Sequence, residues 1–149
     1  MSSVFTMGVA PILAFAIAPC WFALHGAESE GGLLRQGTGQ ETSWHLIDSG
    51  KPGPVVMIVG GMHGNEPAGA RAAEQIRHWP IKRGQLIVLP KANWTGLKAG
   101  IRFVPNSSKA LRDLNRNFPK TDEENEASGK LAVEIWELVK QRKPDWLFD

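Results

Sequence analysis

The chain has 149 residues, 42% hydrophobic and 21% charged, with a single cysteine, Cys20. This is the composition of an ordinary globular domain long enough to bury its own core, and one cysteine excludes an internal disulfide framework. A net charge of +2, with acidic residues mixed among the basic ones, argues against a nucleic-acid-binding protein, so no nucleic-acid partner is expected.

No Lys, Arg, Asp or Glu precedes Glu28, and Val4 to Leu24 is almost wholly apolar. Residues 1–27 therefore read as an export signal, with small residues near Ala27 as a cleavage point, or as a single membrane anchor. The usual basic start of a signal is missing, and Pro11 and Pro19 work against a straight spanning helix. The expectation is an exported protein: periplasmic, extracellular or membrane-anchored. Residues 28–43, rich in Gly, Gln, Ser and Thr, read as a linker, and residues 44–149 as the domain proper.

Trp44 to Ile47 predicts a short strand, and Ser49 to Pro54 a turn. Val55-Val56-Met57-Ile58-Val59 is a continuous, mostly β-branched run, the pattern of a strand buried on both faces. A helix should follow, with Asn65 as its cap, Pro67 at its first position, and Ala68, Ala72, Ile76 and Trp79 as one apolar stripe ending at Pro80. Leu86 to Leu89 predicts a second buried strand. Residues 91–120 read as a long loop, and long ordered loops in compact domains tend to be functional. Within it, Asn93-Trp94-Thr95 and Asn106-Ser107-Ser108 match the glycosylation acceptor triplet.

A second helix is predicted from Asp122 to Arg142, with Thr121 and Glu124 at capping-box spacing and Ala127, Leu131, Ile135 and Leu138 facing inward. Pro144 ends it, and Trp146-Leu147-Phe148 begins a third apolar strand. Strands alternating with helices predict an α/β sheet with helices on its faces, where sites form beyond the strand ends.

Two constellations fall at such ends. In Gly60-Gly61-Met62-His63-Gly64-Asn65-Glu66-Pro67, a turn brings the His63 imidazole and the Glu66 carboxylate toward one point. Both are ordinary zinc ligands, and a catalytic zinc commonly takes two His and one Glu and keeps a position for water. His-x-x-Glu alone recurs by chance, and its bland reading is a helix cap beside a surface His. The glycine spacing does not fit the Gly-x-Gly-x-x-Gly fingerprint, which excludes a dinucleotide-binding turn. Asp113-Leu114-Asn115-Arg116-Asn117-Phe118-Pro119 is more specific. The Arg116 fork matches a carboxylate with two hydrogen bonds, and Asn115 can donate beside it. The alternative is a polar loop whose Arg pairs with a structural Asp.

Together and in this order, these motifs resemble the zinc carboxypeptidase superfamily, most closely its succinylglutamate desuccinylase/aspartoacylase branch. The lead-in Asp48 to Pro54 and the stretch Leu89 to Lys98 share the resemblance, which covers about residues 45–149. It implies a three-layer zinc-carboxypeptidase-like α/β fold, a mixed sheet with helices on both faces, here truncated. It implies Zn2+ as the cofactor, His63 and Glu66 as the first two metal ligands, and Asp113 orienting the His63 ring. Asn115 and Arg116 would bind a substrate carboxylate. Arg102 would be the catalytic arginine that polarises the scissile carbonyl and stabilises its oxyanion, with Arg112 as the competing candidate.

The family's third ligand, a His directly after the third strand, and its general-base Glu fall past Asp149. His25, His45 and His78 do not match the third ligand's place. The resemblance therefore implies the N-terminal part of a zinc hydrolase that cleaves an amide bond in an N-acyl amino acid or a peptide with a free carboxylate. Its partner would be that small anionic substrate, and these residues alone would be inactive. The alternative is a catalytically incomplete, non-catalytic carboxylate- or metal-binding protein.

Overall fold

The computed structural model describes residues 29–121 and 125–149. The expected leader, and Glu124 of the expected capping box, lie outside the described residues. Along the chain run β1 (Ser29–Leu34), β2 (Thr42–Asp48), β3 (Val55–Val59), α1 (Pro67–Ile76), β4 (Gln85–Leu89), α2 (Trp94–Ala99), α3 (Lys130–Arg142) and β5 (Trp146–Phe148). A 3-10 turn, Leu114–Arg116, stands between α2 and α3.

The strands form one mixed sheet in the order β1-β2-β4-β3-β5. β1, β2 and β4 are successively antiparallel, while β4, β3 and β5 are parallel. The apolar runs of β3 and β4 lie at its centre because both their faces are covered. On β4, Ile87 and Leu89 pack with Met57, Val59 and the inner side of α3. Leu86 and Val88 point the other way, against Ala73 and Ile76 of α1. Successive side chains thus feed opposite layers, the period-two geometry of a strand. The expected three-layer α/β arrangement is present.

Several local expectations change. The predicted linker contains β1, which pairs along its whole length with β2 from Ser29↔Ile47 to Leu34↔Thr42. Its glycines lack the apolar pattern of a strand, but pairing supplies the backbone hydrogen bonds and Gly32 leaves room for the Trp44 indole. α1 begins with Glu66 as its cap residue and Pro67 at the first position, without a side-chain cap from Asn65. Its inward residues are Ala70 and Ala73, whereas Ala68 and Ala72 are exposed. Small side chains at Ala70 and Ala73 let the helix lie close on the sheet, and of the predicted stripe Ile76 packs inward while Ala68, Ala72 and Trp79 are exposed.

α3 starts at Lys130 and ends at Arg142, so residues 125–129 precede it as irregular chain. Leu131, Ala132, Ile135 and Leu138 form its buried face. The long predicted loop contains α2, closed at its C-terminus by Gly100 in the left-handed region. Among the described residues, no helix is long and apolar enough to cross a membrane.

Candidate active site

β3 ends at Val59, and the chain turns through Gly60 and Gly61 into His63. Gly61 takes a φ of +71°, a conformation that favours glycine. Backbone bonds then pin this turn to the segment after β4: Ala92 N–H donates to Gly60 O at 2.8 Å, and Asn93 N–H to Gly61 O at 2.9 Å. Gly64 packs so closely on α2 that a Cβ there would lie 2.0 Å from the Gly96 carbonyl carbon.

His63 is buried in this turn, 8% exposed, and both of its ring nitrogens face carboxylates. Nδ1 lies 3.3 Å from Glu66 Oε2, and Nε2 lies 3.1 Å from Asp113 Oδ1. Glu66 sits at the start of α1, and Asp113 immediately precedes the 3-10 turn. Arg102 completes the cluster: its Nη1 donates to Glu66 Oε1 at 2.9 Å, and its Nε lies 3.9 Å from Asp113 Oδ2. Residues spread over fifty positions of sequence thus converge beyond the C-terminal ends of the parallel strands, where sites of α/β sheets form.

The position of Arg102 is itself fixed. Its backbone carbonyl accepts from Gly64 N–H and from Asn93 Nδ2, both at 3.4 Å. Asn93 is fully buried, and its Oδ1 accepts from Gly96 N–H at 2.9 Å as the cap of α2. An acceptor triplet at Asn93 is therefore not accessible, and the residue acts as a strut for the site. An Asn three residues ahead of Gly96, with Gly100 closing the same short helix, was the sequence signal for it. The competing Arg112 is placed elsewhere, with its guanidinium carbon 4.2 Å from the centre of the Phe103 ring.

Asn115 and Arg116 are exposed on the 3-10 turn and do not join the His63 cluster. Asn115 lines an apolar cavity of about 160 Å³ with Met62, Phe118, Trp136 and Leu147. Asn117 in the same motif is structural: it is buried, and its Nδ2 donates to Leu111 O at 2.8 Å. Asp149, next to β5, lies near enough to feel His63 and Glu66. Desolvation pushes its carboxyl above the usual range, His63 opposes this, and Glu66 adds to it. His45 stays apart, on β2, with its ring 3.5 Å from Ser43 Oγ.

The His63 contacts set a chemical requirement. A neutral imidazole carries one N–H, yet carboxylate oxygens stand at both nitrogens. With the proton directed at Asp113, the Nδ1 lone pair and Glu66 Oε2 are two electron donors facing each other. A second proton or a cation resolves that contact. Two ligands of a tetrahedral zinc, each about 2.0–2.1 Å from it, stand roughly 3.3–3.4 Å apart, close to the 3.3 Å separation observed. The pair therefore fits two positions of such an ion, with Asp113 holding the far nitrogen as metal-bound His requires. Among the described residues, no group of three or more His, Cys, Asp or Glu side chains is placed to hold a metal ion.

The family profile described as the succinylglutamate desuccinylase/aspartoacylase catalytic domain matches residues 52–145. No curated protein matches the chain. Among solved structures, it is similar to an aspartoacylase family protein from Mesorhizobium loti: 24% identity and a TM-score of 0.57, over 81% of this chain and 38% of that one. A succinylglutamate desuccinylase/aspartoacylase from Rhodobacter sphaeroides gives 21% identity and a TM-score of 0.55, over 80% of this chain and 37% of that one. A proposed metallopeptidase from Shewanella amazonensis gives 21% and 0.59, over 76% and 44%. The chain thus spans less than half the length of these relatives, and likeness at these identities establishes the shared fold. The profile covers well over half of the chain and contains His63, Glu66, Arg102 and Asp113, and the chain belongs to the succinylglutamate desuccinylase/aspartoacylase catalytic-domain family.

Proposed function

We propose that the full-length polypeptide is a zinc-dependent amide hydrolase acting on a small anionic substrate, an N-acyl amino acid or a peptide with a free carboxylate. The observation that carries this reading is His63, bracketed by Glu66 on one nitrogen and Asp113 on the other. His63 Nδ1 and Glu66 would hold the zinc, which when bound polarises a carbonyl and lowers the pKa of water. Asp113 accepts the Nε2 proton and so keeps the Nδ1 lone pair turned toward Glu66. Arg102, held over both carboxylates, supplies a fixed positive charge for the oxyanion that forms on the scissile carbonyl. Asn115 lines the apolar cavity, and it and the neighbouring Arg116 are exposed and would receive a substrate carboxylate. Family membership favours deacylation, with peptide cleavage the neighbouring possibility. The protein would be exported or held to a membrane by residues 1–27.

For the described residues taken alone, a second reading has its own support. A two-ligand cluster with no third metal-binding side chain fits weak metal or carboxylate binding without turnover.

The test is hydrolysis of N-acylated acidic amino acids and of N-blocked dipeptides by the full-length protein, with bound zinc measured on the same sample. His63→Ala should abolish both turnover and stoichiometric zinc. Turnover that survives His63→Ala, or that survives removal of the metal, would sink the proposal.

A further inference from the structure

The cavity of about 160 Å³ that Asn115 lines lies between the sheet and α3. Leu147 of β5 is the register partner of Met57 on β3, so it shares a sheet face with Met57 and Val59, the face that α3 covers. Val59 and Leu147 make one wall, and Ile135, Trp136 and Val139 of α3 make the other. Trp136 spends its indole N–H on Asn125 O at 3.0 Å, which leaves the ring as apolar wall.

Three other lining residues tie the cavity to the candidate active site. Met62 directly precedes His63, and Asn115 follows Asp113 by two positions. Asp149 lies close enough to His63 and Glu66 to interact with both electrostatically. Space for part of a substrate therefore adjoins the metal-binding pair.

The lining decides what that part is. Asn115 and Asp149 are its polar side chains, and no Lys, Arg or His stands among the described residues around it. An acidic side chain placed there would lose water without gaining a cation, and it would meet the like charge of Asp149. An apolar group gains by leaving water. Size narrows the choice: an apolar cavity of about 150 Å³ accepts a benzene ring, so this space suits a phenyl ring or a branched aliphatic chain. Asn115 links the cavity to the substrate's charged end. In an amino acid, one α-carbon bears both the carboxylate and the side chain, so a carboxylate held at Asn115 brings that side chain to the cavity.

We infer that the cavity receives the side chain of the carboxylate-bearing residue, and that this residue is branched aliphatic or aromatic rather than acidic. The inference rests on the proposed amide hydrolysis and deepens it by naming the class of amino acid released. Val59, Trp136, Val139 and Leu147 become the residues that set specificity, without touching the reacting atoms.

The test compares kcat/KM of the full-length, zinc-loaded protein on N-acetylglycine, N-acetylleucine, N-acetylphenylalanine and N-acetylaspartate. Leucine and phenylalanine should exceed glycine by about tenfold or more, the usual return on burying such a side chain, and aspartate should not. Val139→Phe fills the cavity from α3 and should remove most of that advantage. Its turnover of N-acetylglycine should stay unchanged, which also shows that the variant is folded. Val139→Ile, which fills less, should give a smaller loss in the same direction. A second arm reads binding by calorimetry. 4-Methylpentanoate should bind about tenfold more tightly than glutarate, and Val139→Phe should erase the difference. N-acetylaspartate turned over as well as N-acetylleucine, a leucine advantage that survives Val139→Phe, or 4-methylpentanoate bound no more tightly than glutarate would overturn the inference. Loss of turnover on every substrate would strike the proposed activity instead, and the binding arm would still decide what the cavity holds.

Discussion

His63 depends on Asp113 for its orientation, and the dependence can be measured. Asp113→Asn keeps the shape but removes the carboxylate that fixes the Nε2 proton. Zinc affinity of the full-length protein should fall about 10–100-fold, as for other partners of metal-bound His; competition with a chromogenic chelator measures it. Unchanged affinity would remove Asp113 from the site. A second histidine governs acid stability. His45 is pushed below its ordinary value by burial, reinforced by Arg77, with His78 and Lys91 acting the same way and Glu74 opposing. The folded state then binds this proton more weakly than the unfolded chain does. Its stabilising contribution is complete above the unfolded value of about 6.5 and is lost as pH falls from there through the lower folded value. The lowered carboxyls of Asp48 and Glu74 add losses as pH falls below their ordinary values of 3.8 and 4.5. Urea titrations should show stability declining as pH falls below about 6.5, and His45→Gln should flatten that step while leaving the later acid loss.

At the scale of elements, the turn after β3 and the short helix α2 act as one piece. Gly64 lies against Gly96, and Gly64 N–H donates to Arg102 O. Gly64→Ala forces a methyl into that contact and should destabilise the protein by about 1–3 kcal/mol or more. It should also weaken turnover, because His63 and Arg102 shift together; a variant with native urea midpoint and native activity would contradict the packing described. The central strands were legible because their apolar runs have only one buried solution. The clustered residues His63, Glu66, Arg102 and Asp113 were legible as motif members, but their meeting required a fold that brings the segment after β4 back over the turn after β3. Asn93 was overlooked as a strut because its capping signal, an Asn three residues ahead of Gly96 with Gly100 beyond, sits in a stretch whose composition reads as loop. β1 was hidden for a related reason. Its strand character comes from pairing with β2 and from the space Gly32 leaves for Trp44, neither of which appears as hydrophobic periodicity.

At the scale of the molecule, the antiparallel flank of the sheet is clasped by α3. Arg35, just past β1, donates from its backbone N–H and its guanidinium to Glu134. At the other end of the strand, Arg142 reaches Glu30 while its guanidinium lies 4.7 Å from the centre of the Trp44 ring. Glu134→Ala leaves the mostly buried Arg35 without its acceptor and should cost about 1–3 kcal/mol. Amide exchange in β1 should quicken in that variant, while exchange in β3 and β4 stays slow; equal quickening in all three would show that β1 is not a separately held unit.

The two ends of that clasp join residues 99 and 112 positions apart. On the ribosome, β1 is made early but cannot be locked down until α3 has emerged. Until then, β1 waits as an unlatched flap, tied to the growing fold only by its partner β2.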